Sequence, residues 1–295
     1  LLILGSTTPI LLGIGNAERS GGWTAIVAWG PIVGGLVVTL ALLLRERVAH
    51  EPMLPLRVFS NPVFSVSILI TLFVQIVMTA LVILIPLNYE LVAGLSPDQT
   101  GYRLAPLTVG SVLGSAGAGA LISRFGRYRI FPIVGNIGAA ATCGAIYVVG
   151  LGHSWLFDLA ATSMLGIAWG GQFSPLTIAV QNALHWQDTG IGISCLMFFR
   201  LIGGAFGVAL FTTMLIAALA QGALAIPGHE ALGANPGLAL LHLDAPGSHL
   251  SPALMSALAG TMRHAFDYVF GISSLVLAIS ILPAFVLREL PLRTK

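Results

Sequence analysis

Few residues in this sequence could do chemistry, and most of those are arginines. The seven histidines lack the spacing of metal ligands, and they stand at 50, 153, 185, 229, 242, 249 and 264. The two cysteines, Cys143 and Cys195, lie inside apolar runs, so we interpret them as packing residues. No nucleophile stands beside a base and no acidic cluster could bind a metal, so we predict no cofactor, no metal and no enzyme active site.

Three arginines cluster in a short break between two long apolar segments, in the run from Gly119 to Arg129. The notable residues there are Gly119, Arg124, Gly126, Arg127 and Arg129. Glycine at 126 allows a tight turn, and the arginines could bind helix-end carbonyls or lipid phosphates. The run is therefore either a gate that moves during a conformational cycle or a fixed positive anchor at a membrane surface.

Two further arginines, Arg103 and Arg200, stand within apolar segments, where a bilayer would make their charge costly. In a helical projection Arg103 shares a face with Pro106, Gly110, Gly114 and Gly117, and Arg200 shares one with Gly203, Gly204 and Gly207. Such faces are typical of close helix packing. We predict that Arg103 pairs with Asp158 or Asp267, or reaches the membrane interface. Arg200 has no obvious acidic partner, and we predict that it organises helix packing rather than contacting a substrate.

Polar side chains form stripes on two other apolar segments. The first stripe is Thr71, Gln75, Met78, Thr79 and Pro86, and the second is Thr162, Trp169, Gln172 and Phe173. Lipid does not favour buried amides, so both faces should turn inward. We predict a substrate site there, since methionine and aromatic surfaces fit varied apolar compounds. The alternative is helix-to-helix hydrogen bonding across a dry interface.

Composition decides which elements must position these residues. Hydrophobic residues make up 56% of the chain, charged residues 8%, and the mean hydropathy is +0.94. These values indicate an all-α integral membrane protein. The net charge of +2 is too small to indicate a nucleic-acid partner, so membrane lipid is the expected partner of the arginines.

Apolar segments long enough to cross about 30 Å of hydrocarbon define the organisation of the chain. We predict spans over 63–88, 101–122, 131–150, 156–180, 191–217 and 264–287. Residues 1–44 hold a helix pair, 45–62 a charged linker, and 218–263 a loop in which Ser251 and Pro252 cap a short surface helix. Because Leu1 lies inside a hydrophobic run, we expect the sequence to begin partway through a helix of a longer protein.

The distribution of basic residues predicts the orientation, because short cytoplasmic loops retain lysine and arginine. Nine of the thirteen fall on one side, namely Arg45, Arg47, Arg57, Arg124, Arg127, Arg129, Arg288, Arg293 and Lys295. Arg19 and Arg263 fall on the other side. We therefore predict that the tail 288–295 is cytoplasmic and that the loop 218–263 lies outside.

The arginine-rich run resembles the loop signature of the major facilitator superfamily, G-x3-D-R-x-G-R-R/K, with Ser123 in place of the acid. Further blocks are similar to the fourteen-helix drug/proton antiporter branch, and these are 51–59, 101–110, 172–182 and 200–207. The resemblance implies a C-terminal six-helix bundle over 63–287, preceded by one and a half central helices. It also implies that an N-terminal bundle is missing, and Ser123 puts the family's acidic latch in doubt.

The resemblance implies a secondary active transporter of the cell membrane, cytoplasmic or inner, that works by alternating access between two bundles. Typical substrates of the branch are small hydrophobic or cationic drugs and metabolites, exported in exchange for protons. No acidic residue lies in the middle of a predicted span, so proton coupling is not assigned to a residue here. A passive channel and a membrane receptor are the alternatives.

Overall fold

The computed structural model describes residues 8–10, 12–13, 30–31, 33–38, 40–41, 56–224, 226, 237, 240 and 252–291, without the side chains of residues 56 and 252–257. The described residues up to position 41 are helical. The remainder of the predicted pair 1–44, and of the linker up to residue 55, lies outside the described residues.

From residue 56 onward, the described chain consists of helices, and no strand occurs in it. The helices are α1 (Pro62–Leu91), α2 (Pro97–Phe125), α3 (Ile130–Val149), α4 (Trp155–Gly170), α5 (Phe173–Ala183), α6 (Thr189–Leu224) and α7 (Pro252–Val286). Short 3-10 turns precede α1 and α6, at Leu56–Ser60 and Trp186–Asp188. The prediction of an all-α membrane fold is confirmed.

Local sequence explains where the first two helices begin. Asn61 caps α1, because its side-chain oxygen accepts from the amides of Val63 (3.0 Å) and Phe64 (3.3 Å). Ser96 caps α2 in a reciprocal capping box with Gln99. Both helices have proline in the first position, where its missing N–H costs no hydrogen bond.

Within the described residues, five helical segments are long and apolar enough to cross a membrane. They are Pro62–Leu91, Pro97–Phe125, Ile130–Val149, Trp186–Leu224 and Leu258–Val286. Helices α4 and α5 follow each other in series and together occupy the position of the predicted span 156–180. The continuity of that predicted span is wrong, because α4 ends at Gly170 and α5 begins at Phe173. Two adjacent glycines weaken the helix there, and an apolar count does not detect such a break.

The boundaries of the last two helices also differ from prediction. Helix α6 continues to Leu224 and α7 begins at Pro252, so the connection is shorter than the predicted loop 218–263. Pro252 does not open a short surface helix, because the helix it starts runs on to Val286. The residues after Pro252 are rich in alanine and leucine, which favour a helix without forming a strongly apolar span.

The helices pack mainly as three pairs, α1 with α6, α2 with α4, and α3 with α7. Glycine lets two of these pairs come into backbone contact. A Cβ added at Gly207 of α6 would lie 1.9 Å from the Ile76 carbonyl oxygen of α1, and one at Gly170 of α4 would lie 1.8 Å from the Ser111 oxygen of α2. Gly203, Gly204 and Gly207 of the predicted Arg200 face therefore form a packing seam. On the predicted Arg103 face Gly110 and Gly114 also pack closely, but Gly117 does not, since nothing lies within 4 Å of its added Cβ.

The bundle has two distinct ends. At the first, which we name the basic end, Arg57 pairs with Asp188 at 2.6 Å and Asn61 donates to the Ala183 carbonyl at 2.8 Å. The loop after α2 and the end of α7 lie there as well, since Arg129 Nη2 donates to the Phe285 carbonyl at 2.5 Å. At the second, which we name the Arg103 end, Arg103 and Asp158 form a salt bridge.

Candidate functional site

The two predicted polar stripes meet between α1 and the break that separates α4 from α5. Trp169 Nε1 donates to Gln75 Oε1 at 2.7 Å. The space beside this bond has a volume of only about 10 Å³. Its lining includes Thr71, Gln75, Trp169, Gln172 and Phe173. Such a space holds about one water molecule, so the stripes touch directly in this conformation.

Besides Pro86, which lies inside α1 and does not line this space, three residues of the predicted stripes lie elsewhere. Met78 is buried in the core at 3% exposure. The Thr79 side chain packs against Gly204, where an added Cβ would approach its Oγ1 to 2.9 Å. Thr162 is fully buried, and its hydroxyl donates to the Asp158 carbonyl at 2.7 Å. The structure does not bring these three side chains to the space between the stripes.

An open groove lies beside the stripes, between α2, α5 and α6, and we name it the serine groove. One part has a volume of about 390 Å³ and the adjoining part about 630 Å³. Its polar and aromatic lining residues are Ser111, Ser115, Phe173, Ser174, Thr177 and Arg200, together with Gly119 and Met197. Volumes of this order are typical of sites for small molecules.

Sequence reasoning missed the hydroxyl residues of the serine groove. A signal was present, because Ser111, Ser115 and Gly119 follow one another at intervals of four on a single face of α2. Serine and threonine are ambiguous in a helix, since they can bond their own backbone. Here Ser111 donates to the Thr108 carbonyl at 2.8 Å, and Thr177 donates to the Phe173 carbonyl at 2.8 Å.

Arg200 lies at the edge of the glycine seam and reaches away from it. Gly203, Gly204 and Gly207 pack on α1, whereas the guanidinium carbon of Arg200 lies 4.3 Å from the centre of the Phe173 ring on α5. Its one hydrogen-bond partner among the described residues is Met197 Sδ at 3.6 Å. No described carboxylate forms an ion pair with it. Arg200 lines both the small space and the serine groove.

Gln172 contributes a second incompletely bonded group at the same place. Its side chain is 2% exposed, and its Nε2 donates to the Ala168 carbonyl at 3.1 Å. Its Oε1 is buried without a hydrogen-bond partner among the described atoms. A buried acceptor without a partner is costly, which makes it a position where a ligand donor would be favourable.

The buried charge at the Arg103 end is neutralised within the bundle. Arg103 Nη1 donates to Asp158 Oδ2, and Asp158 Oδ1 accepts from the Gly152 amide at 3.1 Å. The guanidinium also lies 5.5 Å from the centre of the Tyr89 ring. Asp267, the other candidate partner, does not pair with Arg103, because it lies on α7, whereas Arg103 lies on α2, which packs against α4.

The arginine-rich loop forms the turn expected from its glycine. Gly126 ends α2 with φ +71°, and its amide donates to the Ile122 carbonyl at 2.8 Å. Of the three arginines, Arg129 is the one that binds a helix-end carbonyl, on α7. Arg124 and Arg127 are exposed. Ser123 donates only to the Ala120 carbonyl of its own helix, at 2.8 Å.

Metal and thiol chemistry find no support in the part of the chain that the structure describes. No group of three or more histidine, cysteine, aspartate or glutamate side chains lies close enough there to hold a metal. Cys143 and Cys195 are both buried free thiols. The groups that line the serine groove are hydroxyls, one aromatic ring, a methionine thioether and one cation, which can bind a small molecule.

Comparison with known proteins gives consistent results. Residues 3–208 match the family described as the Major Facilitator Superfamily. An uncharacterized MFS-type transporter of Mycobacterium tuberculosis is 27% identical over 99% of this chain and 42% of its own length. Multidrug transporter protein MdtP of Bacillus subtilis is 26% identical over 68% of this chain and 37% of its own length. This chain thus spans less than half the length of these relatives.

Solved structures share the fold. A bacterial homologue of the human lysosomal transporter Spinster, in an inward-facing and occupied conformation, superimposes with a TM-score of 0.61. The two chains are 22% identical, and the match covers 97% of this chain and 66% of the other. At this identity the likeness concerns the fold alone.

Proposed function

Since the chain belongs to the major facilitator superfamily of membrane transporters, we propose that it is the C-terminal portion of a secondary active transporter. The proposed transporter exports hydrophobic or cationic drugs or metabolites in exchange for protons by alternating access. The observation that carries the proposal is the serine groove, whose volume and mixed lining fit a drug-sized compound. Relatives named as an efflux pump and a multidrug transporter support the direction of transport.

In this proposal a substrate binds in the serine groove and reaches the two stripes. Phe173 and Met197 offer apolar contact area, and Ser115, Ser174 and Thr177 offer hydroxyls without fixed charge. The groove is open on one side. A second bundle of the same protein, N-terminal to this one, would close it, as alternating access requires. The bundle 63–287, the central helices 1–44 and the linker 45–62 remain the proposed domains.

We propose that the basic end is cytoplasmic in the cell membrane, because it carries most of the arginines. There Arg129 already ties the loop after α2 to α7. Exposed Arg124 and Arg127 would bind groups of adjacent helices in one state of the cycle and release them in another. In this proposal the gating role of the run from Gly119 to Arg129 belongs to Arg127 and to Arg124, whose guanidinium lies 5.5 Å from the centre of the neighbouring Phe125 ring.

Membrane lipid is the second proposed partner. An apolar groove of about 780 Å³ lies between α2, α3 and α4, with Arg127 among its lining residues. Its lining on α2 runs from Leu113 to Phe125, about 18 Å of helix, which approximates half the 30 Å thickness of the hydrocarbon region. We propose that one acyl chain of an inner-leaflet phospholipid fills this lipid groove while its phosphate binds Arg127.

Transport against a gradient tests the proposed function. The full-length protein would be reconstituted in sealed vesicles with an imposed proton gradient, and accumulation of a hydrophobic fluorescent dye would be followed. We expect accumulation above equilibrium that collapses when a protonophore removes the gradient. Equilibration without accumulation would identify a passive channel, and no flux would exclude transport of that dye class.

A further inference from the structure

We propose that Arg200 makes the serine groove selective for hydrophobic weak acids, which bind through a carboxylate or phenolate oxygen. The inference rests on the proposed transport function and narrows its substrates, since it disfavours cationic compounds at this site. It also gives Arg200 a role in binding the ligand, in place of the helix-packing role that its glycine-lined face predicts.

Arg200 lies deep within an apolar helix. It stands eleven residues after the start of α6 at Thr189, about 16 Å along a helix that enters the membrane. A cation at such a depth is costly unless an anion or several strong acceptors neutralise it. At the other end of the bundle the same problem is solved internally, because Arg103 has Asp158. Arg200 has no such partner among the described residues.

The guanidinium of Arg200 has few contacts that could balance its charge. Phe173 covers one face of the guanidinium at 4.3 Å, an arrangement that leaves the N–H groups at its edge available. Met197 sulfur is a weak acceptor and satisfies at most one of the five N–H donors of arginine. The planar fork of donors matches a carboxylate, which can accept two parallel hydrogen bonds.

The serine groove around Arg200 has a positive charge and an apolar wall. The side chains of the serine groove other than Arg200 are neutral, so its fixed charge is that of a single cation. An apolar body attached to the anion would contact Ile178, Met197 and the Phe173 ring. The buried, unpartnered Gln172 Oε1 belongs to the small space beside the groove, which Phe173 and Arg200 also line. A quaternary ammonium would instead meet a like charge with no carboxylate of the groove to compensate.

Three probes that share a 4-butylphenyl group test the inference: the 4-butylbenzoate anion, 4-butylbenzamide and 4-butylbenzyl-trimethylammonium. Their dissociation constants would be measured by titration calorimetry with the purified full-length protein. We expect the benzoate to bind at least about tenfold more tightly than the amide, the usual order for a charge-assisted hydrogen bond, and the ammonium most weakly. The comparison requires no variant, so it is informative even if substitutions at 200 impair folding.

Variants then locate the preference. Arg200→Gln should abolish the advantage of the benzoate and leave amide binding within about threefold, while Arg200→Lys should retain part of the advantage. Arg263→Gln, the control, removes an exposed arginine from α7 and should leave the three dissociation constants unchanged. The inference is overturned if the amide or the ammonium binds as tightly as the benzoate. A carboxylate elsewhere in the protein that pairs with Arg200 would give this result. If none of the three probes binds, the proposed function fails together with it.

Discussion

At the scale of single residues, two half-buried arginines within apolar helices differ in how their charge is balanced. Arg103 is neutralised by Asp158, whose side chain is 1% exposed and accepts a further bond from a backbone amide. Removing one member leaves the other buried without a partner, which costs more than the pair contributes. Arg200 lacks a described carboxylate, so its charge is available for a ligand.

The buried pair should therefore show strong coupling. We expect Asp158→Asn or Arg103→Gln alone to lower the free energy of unfolding by about 3–5 kcal/mol, and the double variant to lose much less than the sum. Thermal unfolding of the purified protein in detergent would measure this. The exposed pair of Arg57 and Asp188 is the matched control, for which neutralisation should cost less than about 1 kcal/mol. Additive losses at 103 and 158 would contradict the account.

At the scale of helices, glycine sets how closely the pairs approach. Helix propensity favours alanine over glycine by about 1 kcal/mol, but overpacking against a neighbouring backbone costs about 1–3 kcal/mol. The added Cβ at Gly207 or Gly170 would lie within 2 Å of a carbonyl oxygen on the paired helix. Packing should therefore outweigh propensity at both positions.

The corresponding experiment compares four glycine variants. Gly207→Ala and Gly170→Ala should each lower the melting temperature of the protein. Gly101→Ala and Gly117→Ala should leave it unchanged or raise it, because nothing lies within 4 Å of a Cβ at either position. A melting temperature that rises for all four would show that propensity, not close approach, explains these glycines.

The lipid groove gives a second prediction about elements. Gly117 lines it and has open space around its missing side chain, so Gly117→Leu should fill the groove without displacing a helix. We expect this variant to retain less anionic phospholipid through purification, measured by native mass spectrometry. Gly101→Leu, on the same helix and outside the groove, is the control. Equal lipid retention in both variants would exclude the groove as a lipid site.

The arginine-rich loop gives a third prediction about elements. Neutralising Arg124 and Arg127 together should slow transport more than it weakens substrate binding, because both side chains are exposed and form no ion pair among the described residues. Transport rate and dissociation constant would be measured at equal membrane abundance. An unchanged rate would identify both arginines as topological anchors. Ser123→Asp is the companion variant, which tests whether restoring the acid of the family signature speeds the cycle.

At the scale of the whole molecule, the fold follows from the sequence more completely than the site does. Apolar length predicted five of the six spans of the bundle as helices long enough to cross a membrane, because the bilayer imposes that length directly. It did not predict the break after Gly170, because two adjacent glycines weaken the helix there and hydropathy does not register helix propensity. For the same reason the long α7 was underestimated at its beginning, where propensity, not hydropathy, forms the helix.

The sequence predicted that the two stripes of large polar side chains face inward, and it missed the small hydroxyl side chains of the serine groove. Substrate binding by the stripes stays a prediction, because the bond between Trp169 and Gln75 is the helix-to-helix bonding of the alternative. Gln75, Trp169 and Gln172 come together as their spacing implied. Met78 and Thr162 occupy the same helix faces but point into the core, because a face of about 100° spans both the seam and the groove. Only the packing of α2, α5 and α6 reveals the serine groove, so its hydroxyls could not be separated from ordinary helix serines by sequence.

The central claim is that the serine groove is a water-filled substrate site, and cysteine accessibility tests it most directly. Cys143 and Cys195 are first replaced in the full-length protein, and single cysteines are placed at Ser115, Ser174 and Thr177, with Leu275 on α7 as the control because it is 61% exposed on the bundle exterior. The account predicts that a membrane-impermeant maleimide labels the three groove positions, that bound substrate slows this labelling, and that lipid keeps position 275 unlabelled. Groove positions that stay unlabelled in both inward-facing and outward-facing states, or label equally with and without substrate, would contradict it.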